Sequence, residues 1–138
     1  MIAKLQKIQY HAARIVLRIK ISEHLHMSPH LSELHWLPVH YRVLYKINLL
    51  SFKCVHNMAP SYLSKHIRIY APVRTLRSKS QQLLVENKTK NTGKYGRRAF
   101  SNCAPDLWNK LPQSIRSCDN IDHFKSKLKT HYFRLAFA

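Results

Sequence analysis

Twenty-four lysines and arginines stand against six acidic residues in this 138-residue chain, a formal net charge of +18 at pH 7, and the cations run from end to end. Packing does not require such an excess, and self-repulsion raises the cost of any compact state. Aliphatic and aromatic residues sit between the charges throughout. The pattern is therefore not a disordered basic arm on a neutral domain but a folded body whose solvated face is positive. A polyanion is its natural partner. Nucleic acid fits best, ahead of an anionic membrane surface or simple solubility.

The length fits a single domain over 1–138, able to bury roughly two-thirds of the surface its unfolded chain exposes. Cys54, Cys103 and Cys118 are odd in number and far apart, unlike the even, closely spaced set of a small disulfide-stapled domain. No signal peptide is visible, and the apolar runs fall short of a membrane span. The expectation is an intracellular protein, nuclear or cytoplasmic, with reduced thiols and no membrane partner. Residues 1–22 lack acids and carry Lys4, Lys7, Arg14, Arg18 and Lys20. That is also transit-peptide chemistry, so mitochondrial import is the minor alternative.

Periodicity predicts a mainly α fold. Leu5, Ile8, Ala12, Ile15 and Ile19 recur at three- and four-residue steps and define one helix face, with Lys7, Arg14 and Arg18 on a separate stripe. Ser28-Pro29 predicts a second helix, Ser as N-cap and Pro at its first position, ending near Trp36 because Leu37 precedes Pro38. From Val39 to Asn57 a longer helix is apolar around most of its circumference through Val43, Leu44, Ile47, Leu50, Phe52, Cys54 and Val55, which predicts the central buried element. Its polar stripe is Arg42, Lys46, Lys53 and His56. A short helix follows over 61–67.

Residues 71–98 change character, with Pro72, both glycines and runs of Ser, Thr, Asn and Lys. This is a basic loop or a short β-hairpin insertion: Gln82–Glu86 reads as a strand, and a turn at Asn91–Gly93 brings a second one back near Lys94–Arg98. A helix around Phe100–Leu111 is interrupted or started by Ala104-Pro105. A last one, capped by Asp119 or Asn120, lines up Ile121, Phe124, Leu128, Tyr132 and Leu135.

Short words of sequence recur in an ordered series. They include Leu5-Gln-x-x-Gln-x-x-Ala-Ala-Arg14, Leu34-His-Trp-Leu-Pro-Val-x-x-Arg42, Ala59-Pro-Ser-Tyr-Leu63, Leu76-Arg-Ser78, Arg98-Ala-Phe-Ser101, Ala104-Pro-x-Leu-Trp-Asn-x-Leu-Pro112 and Phe124-Lys-x-x-Leu-Lys-Thr-His131. In this order and spacing they resemble the region that follows the polymerase in LINE-type (non-LTR) retrotransposon reverse transcriptase proteins, closest to those of animals. The resemblance makes the helix over 1–22 thumb-like, ahead of the segments read above, a helical core over 28–70, the basic loop or hairpin over 71–98 and C-terminal helices over 99–138. It also implies a role in holding template RNA and target DNA. With the palm and fingers missing, the first helix has an apolar face with nothing to pack on, which favours self-association.

Catalysis is not expected. Reverse transcription needs paired carboxylates holding two metal ions about 4 Å apart. The acids here are Glu23, Glu33, Glu86, Asp106, Asp119 and Asp122, and no two aspartates are adjacent. Asp119 and Asp122 are three apart at a helix start, where capping explains them. His24-x-His26, His26-x3-His30 and Cys54-x-His56 have local metal spacings, but there is no Cys-x2-Cys and structural zinc needs four converging ligands. Neither a metal site nor a cofactor is expected, nor a small-molecule substrate, and no Ser or Cys sits in a recognisable nucleophile context.

Binding remains. Arg74, Arg77, Lys79, Lys88, Lys90, Lys94, Arg97 and Arg98 face a lone Glu86 between residues 73 and 98. Arginine forks and backbone amides both reach phosphate oxygens. Tyr70 and Tyr95 flank the segment, where they stack on unpaired bases or do nothing beyond the loop. Lys7, Arg14 and Arg18, with Arg42, Lys46 and Lys53, are the secondary candidates. Trp36 and Trp108 are expected in the core. The function expected is non-catalytic binding of RNA or single-stranded DNA; the alternative is a transposable-element remnant or interaction protein with no activity of its own.

Overall fold

With so few helix-breaking glycines and apolar residues at helical spacing, the backbone satisfies its hydrogen bonds within short helices. A computed structural model describes residues 1–20, 22–23, 25–72, 81–87, 93 and 96–138. The described residues are mainly helical: α1 is Ile2–Leu17, α2 Met27–Glu33, α3 Val39–Val55, α4 Ser61–Ser64, α5 Phe100–Asn109, α6 Gln113–Arg116 and α7 Ile121–Phe137. A 3-10 turn covers Gly96–Arg98. None of these helices is long and apolar enough to cross a membrane.

Three helices stop without glycine. Arg18, His35 and Asn57 each take a positive φ, and the next residue's N–H reaches back five residues, Ile19 to Arg14, Trp36 to Leu31 and Met58 to Lys53. This is the Schellman closure normally built on glycine. It ends α2 at Glu33, short of Trp36. That helix also begins earlier than its sequence suggests: His26 is the N-cap, and Ser28 and Pro29 lie inside the first turn, where a missing N–H leaves no bond unmade.

The chain divides into two compact units, Met1–Tyr45 with Lys129–Ala138, and Lys46–Leu128. In the first, Ala13, Met27 and Leu31 form a small core against which Tyr10, Leu34, Trp36 and Phe137 pack. The face of α1 turned inward is not its apolar stripe. Gln9 (7% exposed) and Ala13 are buried, while Leu5, Ile8 (64% exposed) and Ile15 (78% exposed) face solvent. At about 100° per residue the apolar stripe is rotated roughly 110° from the packed side.

The inward side of α1 is taken by a polar requirement. Pro38 cannot donate, and Val39 opens α3, so the carbonyl of Leu37 and the N–H of Val39 need partners. Gln9 Nε2 donates to Leu37 O at 2.8 Å, and Val39 N–H donates to Gln6 Oε1 at 2.8 Å. The two glutamines are joined by a 2.9 Å bond from Gln6 Nε2 to Gln9 Oε1. Tyr41 closes the unit by donating its hydroxyl to Leu135 O at 3.0 Å. Leu135, placed by its spacing on one face of α7 with Phe124, Leu128 and Tyr132, is 54% exposed.

The second unit has an aromatic core. Phe124 stacks on Phe52 with centroids 4.3 Å apart and on Trp108 at 5.8 Å, and all three are buried with Ala104, Leu111, Ile115 and Leu128. On α3 the buried set is Asn48, Ser51, Phe52 and Cys54 rather than the full apolar circumference, and Val43 is exposed. Helix α4 stops at Ser64 rather than continuing to 67. Asn120 caps α7, its Oδ1 accepting from Asp122 N–H at 2.7 Å.

The extended piece around Leu84 pairs upstream; of the return strand expected near Lys94–Arg98, residues 94 and 95 lie outside the described residues and Gly96–Arg98 form the 3-10 turn. Ile69 and Leu84 form an antiparallel bridge, flanked by Tyr70 N–H to Leu83 O at 2.8 Å and Val85 N–H to Arg68 O at 2.9 Å. Its other edge is served by α5. Asn109 accepts from Leu84 N–H at 2.9 Å and donates to Leu84 O at 3.0 Å, and Trp108 Nε1 donates to Gln82 O at 2.8 Å. One short extended segment is thus held on both edges with no neighbouring strand among the described residues.

Candidate nucleic-acid interface

Of the residues expected to meet phosphate, Arg74, Arg77, Lys79, Lys88, Lys90 and Lys94 lie outside the described residues, as does Tyr95. Arg97 and Arg98 are exposed on the 3-10 turn that precedes α5, and Asn102 Nδ2 ties that turn to the helix by donating to Gly96 O at 2.8 Å.

On α1, Lys7 and Arg18 are exposed, but the Arg14 guanidinium is already occupied. It donates to the carbonyls of Lys20 at 2.9 Å, Glu23 at 3.0 Å and Leu25 at 3.5 Å, and so holds the chain leaving the helix. The hollows these side chains border are largely apolar. One of about 480 Å³ is lined by Lys7, Tyr10, Arg14, Leu25 and Met27 among others, and one of about 380 Å³ by Arg14, Ile15, Arg18 and Ile19 among others. Arg42 Nε donates to Leu37 O at 2.8 Å. Lys46 is exposed and Lys53 half-buried along α3.

A basic site missed by the sequence lies in the second unit. A polar hollow of about 350 Å³ is lined by Lys65, His66, Arg68, Val85, Asn87 and Ser101. Three local devices assemble it. Lys65 and His66 follow the one-turn helix α4, the Ile69–Leu84 bridge sets Arg68 beside Val85, and Asn87 Nδ2 donates to Ser101 O at 3.0 Å in the first turn of α5. Side chains alternate along an extended segment, so Val85 and Asn87 share a side that Glu86 does not. Glu86 Oε1 instead accepts from Asn109 Nδ2 at 3.1 Å.

Three further acids are engaged nearby in sequence. Asp106 pairs with Lys110 at 2.8 Å, Asp122 with Lys125 at 2.9 Å and Glu33 with His30 at 3.7 Å. Among the described residues, no ion pair involves Lys65, His66 or Arg68. The missed hollow had a faint trace in the sequence, the run Lys65-His-x-Arg68, but its other wall lies in two segments that are distant along the chain.

The Cys54 and Cys103 thiols are pushed up by burial, away from the thiolate that nucleophilic chemistry uses. Arg116 is only 6% exposed, its Nε and Nη1 have no hydrogen-bond partner, and burial lowers its pKa. It belongs to the interior of its unit rather than to the basic surface. Among the described residues no three of His, Cys, Asp and Glu gather to hold a metal ion; His24 lies outside them. His56 stacks on Phe52 at 4.1 Å. Trp108 is buried and Trp36 half-buried in their units, packing as expected. Comparison with protein-family models, curated proteins and solved structures finds no match to the chain.

Proposed function

We propose that the chain is a non-catalytic nucleic-acid-binding module of the kind that follows the polymerase in LINE-type retrotransposon proteins, acting on RNA or single strands inside the cell. The observation that carries the reading is the polar hollow at which Lys65, His66 and Arg68 meet without a facing carboxylate. No acid lines that hollow, and Glu86 beside it is bonded to Asn109, so the excess charge has no internal use there. Arg97 and Arg98 are exposed a few residues before Ser101, which lines the hollow. The ordered sequence words suggest the origin, and the charge suggests the ligand.

Binding of this type releases counterions, so affinity falls steeply with salt. Neutralising about five to eight phosphates gives a log–log slope of roughly −4 to −7. A salt titration with short single-stranded RNA, single-stranded DNA and duplex measures it directly. A flat response across the series would reject the reading.

The exposed stripe of Leu5, Ile8 and Ile15 on α1 favours a second reading, an interaction or remnant protein that associates through this face and has no activity of its own. Concentration-dependent sedimentation with no binding of any oligonucleotide would select it.

A further inference from the structure

We propose that the hollow walled by Lys65, His66 and Arg68 takes the terminal phosphate of a nucleic-acid strand, in preference to the diesters along its backbone; this rests on the nucleic-acid-binding reading above. Charge is the first reason. A backbone diester carries one negative charge, whereas a terminal monoester carries about −1.5 to −2 at pH 7 and presents three strong acceptor oxygens. Lys65 and Arg68 border one small space together with the His66 imidazole, and Glu86, which lies between the lining residues Val85 and Asn87, is bonded to Asn109. That is more positive potential than one diester needs.

Shape is the second reason. At about 350 Å³ the hollow is at the small end of ligand pockets, which run from about 300 to 1,000 Å³. Segments from three parts of the chain wall it: the turn after α4, the extended residues Val85–Asn87, and the first turn of α5. A chain end needs only one way in, while a backbone passing through needs two. The neutral donors suit the same group. Ser101 brings a hydroxyl, and the Asn87 amide has a second N–H beyond the one held by Ser101 O. The Arg68 fork can take two phosphate oxygens at once, and Lys65 acts as a point charge.

The test uses the full chain and short single strands with an internal fluorophore, bearing a 5′-phosphate, a 3′-phosphate, or hydroxyls at both ends. A phosphate at one end should tighten Kd about tenfold, the scale of one added set of charge-assisted bonds. Arg68→Gln should abolish the gain and Lys65→Gln should reduce it. Both residues are exposed, so thermal melts of the variants should match the parent. Arg97→Gln should weaken all three strands alike. Equal affinity for the three strands, or a gain that survives Arg68→Gln, overturns the inference, and salt-dependent binding in that case leaves the broader reading standing. If no strand binds, the broader reading falls, and calorimetry with a nucleoside monophosphate decides the hollow. Heat that disappears in Arg68→Gln keeps a phosphate-monoester site, and no heat overturns it.

Discussion

Asn87 Nδ2 donates at 3.0 Å to the carbonyl of Ser101, an acceptor in the first turn of α5 that the helix cannot serve itself. Pro105 sits four residues on, inside the helix, and has no N–H to return to that carbonyl. A proline within a helix ordinarily leaves such an oxygen to water. Here it becomes the anchor for the segment that forms one wall of the basic hollow, so a local defect in α5 positions part of the candidate site.

This relationship predicts coupling. Asn87→Ala should lower stability by roughly 0.5–1.5 kcal/mol, the net worth of one hydrogen bond. In a Pro105→Ala background the helix regains its own N–H at that carbonyl, and the same substitution should lose most of its effect. A double-mutant cycle by urea denaturation reads the difference; strict additivity would show that Asn87 and Pro105 do not share the Ser101 oxygen.

Helix α1 makes the opposite forecast from its hydrophobic pattern. Gln9→Ala removes a buried amide that serves Leu37 O and leaves Gln6 without its acceptor, so it should cost about 1–3 kcal/mol. Leu5→Ala, on the exposed stripe, should stay within about 0.5 kcal/mol. The midpoints of chemical denaturation compare the two, and a larger loss at Leu5 would contradict the observed orientation of the helix.

The elements most plainly written in the sequence were those with both a period and an end marker. Asn120 caps α7, and Phe124, Leu128 and Tyr132 follow at helical spacing, each buried in its own unit. The apolar pattern did not mark the packed face where its spacing competed with a backbone need. At α1 the demand of Leu37 and Val39 for hydrogen-bond partners turned Gln6 and Gln9 inward, and no hydrophobicity scale registers that demand. Helix ends were blurred because Arg18 and His35 occupy left-handed positions where glycine would have marked a stop. The Trp108-Asn109 pair was visible as a recurring word, but its work, holding the edge of Gln82–Leu84, depends on a contact across some 25 residues of chain. The hollow at Lys65 and Arg68 was hidden for the same reason: a bridge to Leu84 and a bond from Asn87 to Ser101 assemble it.

His131, half-buried on α7, supplies a pH dependence. Burial disfavours its charged form and lowers its pKa from the ordinary 6.5. The unfolded chain therefore binds more protons there than the folded one between the two values, and stability rises with pH across that window. The contribution is fully present above about 6.5 and is lost as pH falls toward the lower folded value. His131→Gln should flatten this part of the stability–pH curve relative to the parent, with the other histidines common to both proteins. An unchanged slope would show that His131 titrates normally in the folded chain.

Salt separates the two functional readings, because they depend on charge with opposite signs. Copies of a chain carrying +18 repel one another, so association through the apolar stripe of α1 must work against a field that salt screens. Self-association should therefore strengthen as salt is raised. Nucleic-acid binding gains its free energy from released counterions and must weaken over the same range. Ile8→Gln with Ile15→Gln changes no charge and touches only exposed positions, so the denaturation midpoint should move by no more than about 0.5 kcal/mol per site. In sedimentation at high salt the double variant should stay monomeric where the parent associates, while its affinity for single strands at low salt is unchanged. A parent that is monomeric at every salt concentration would remove the interaction reading; a variant that loses strand binding would show that the apolar face, and not the basic hollow, meets the nucleic acid.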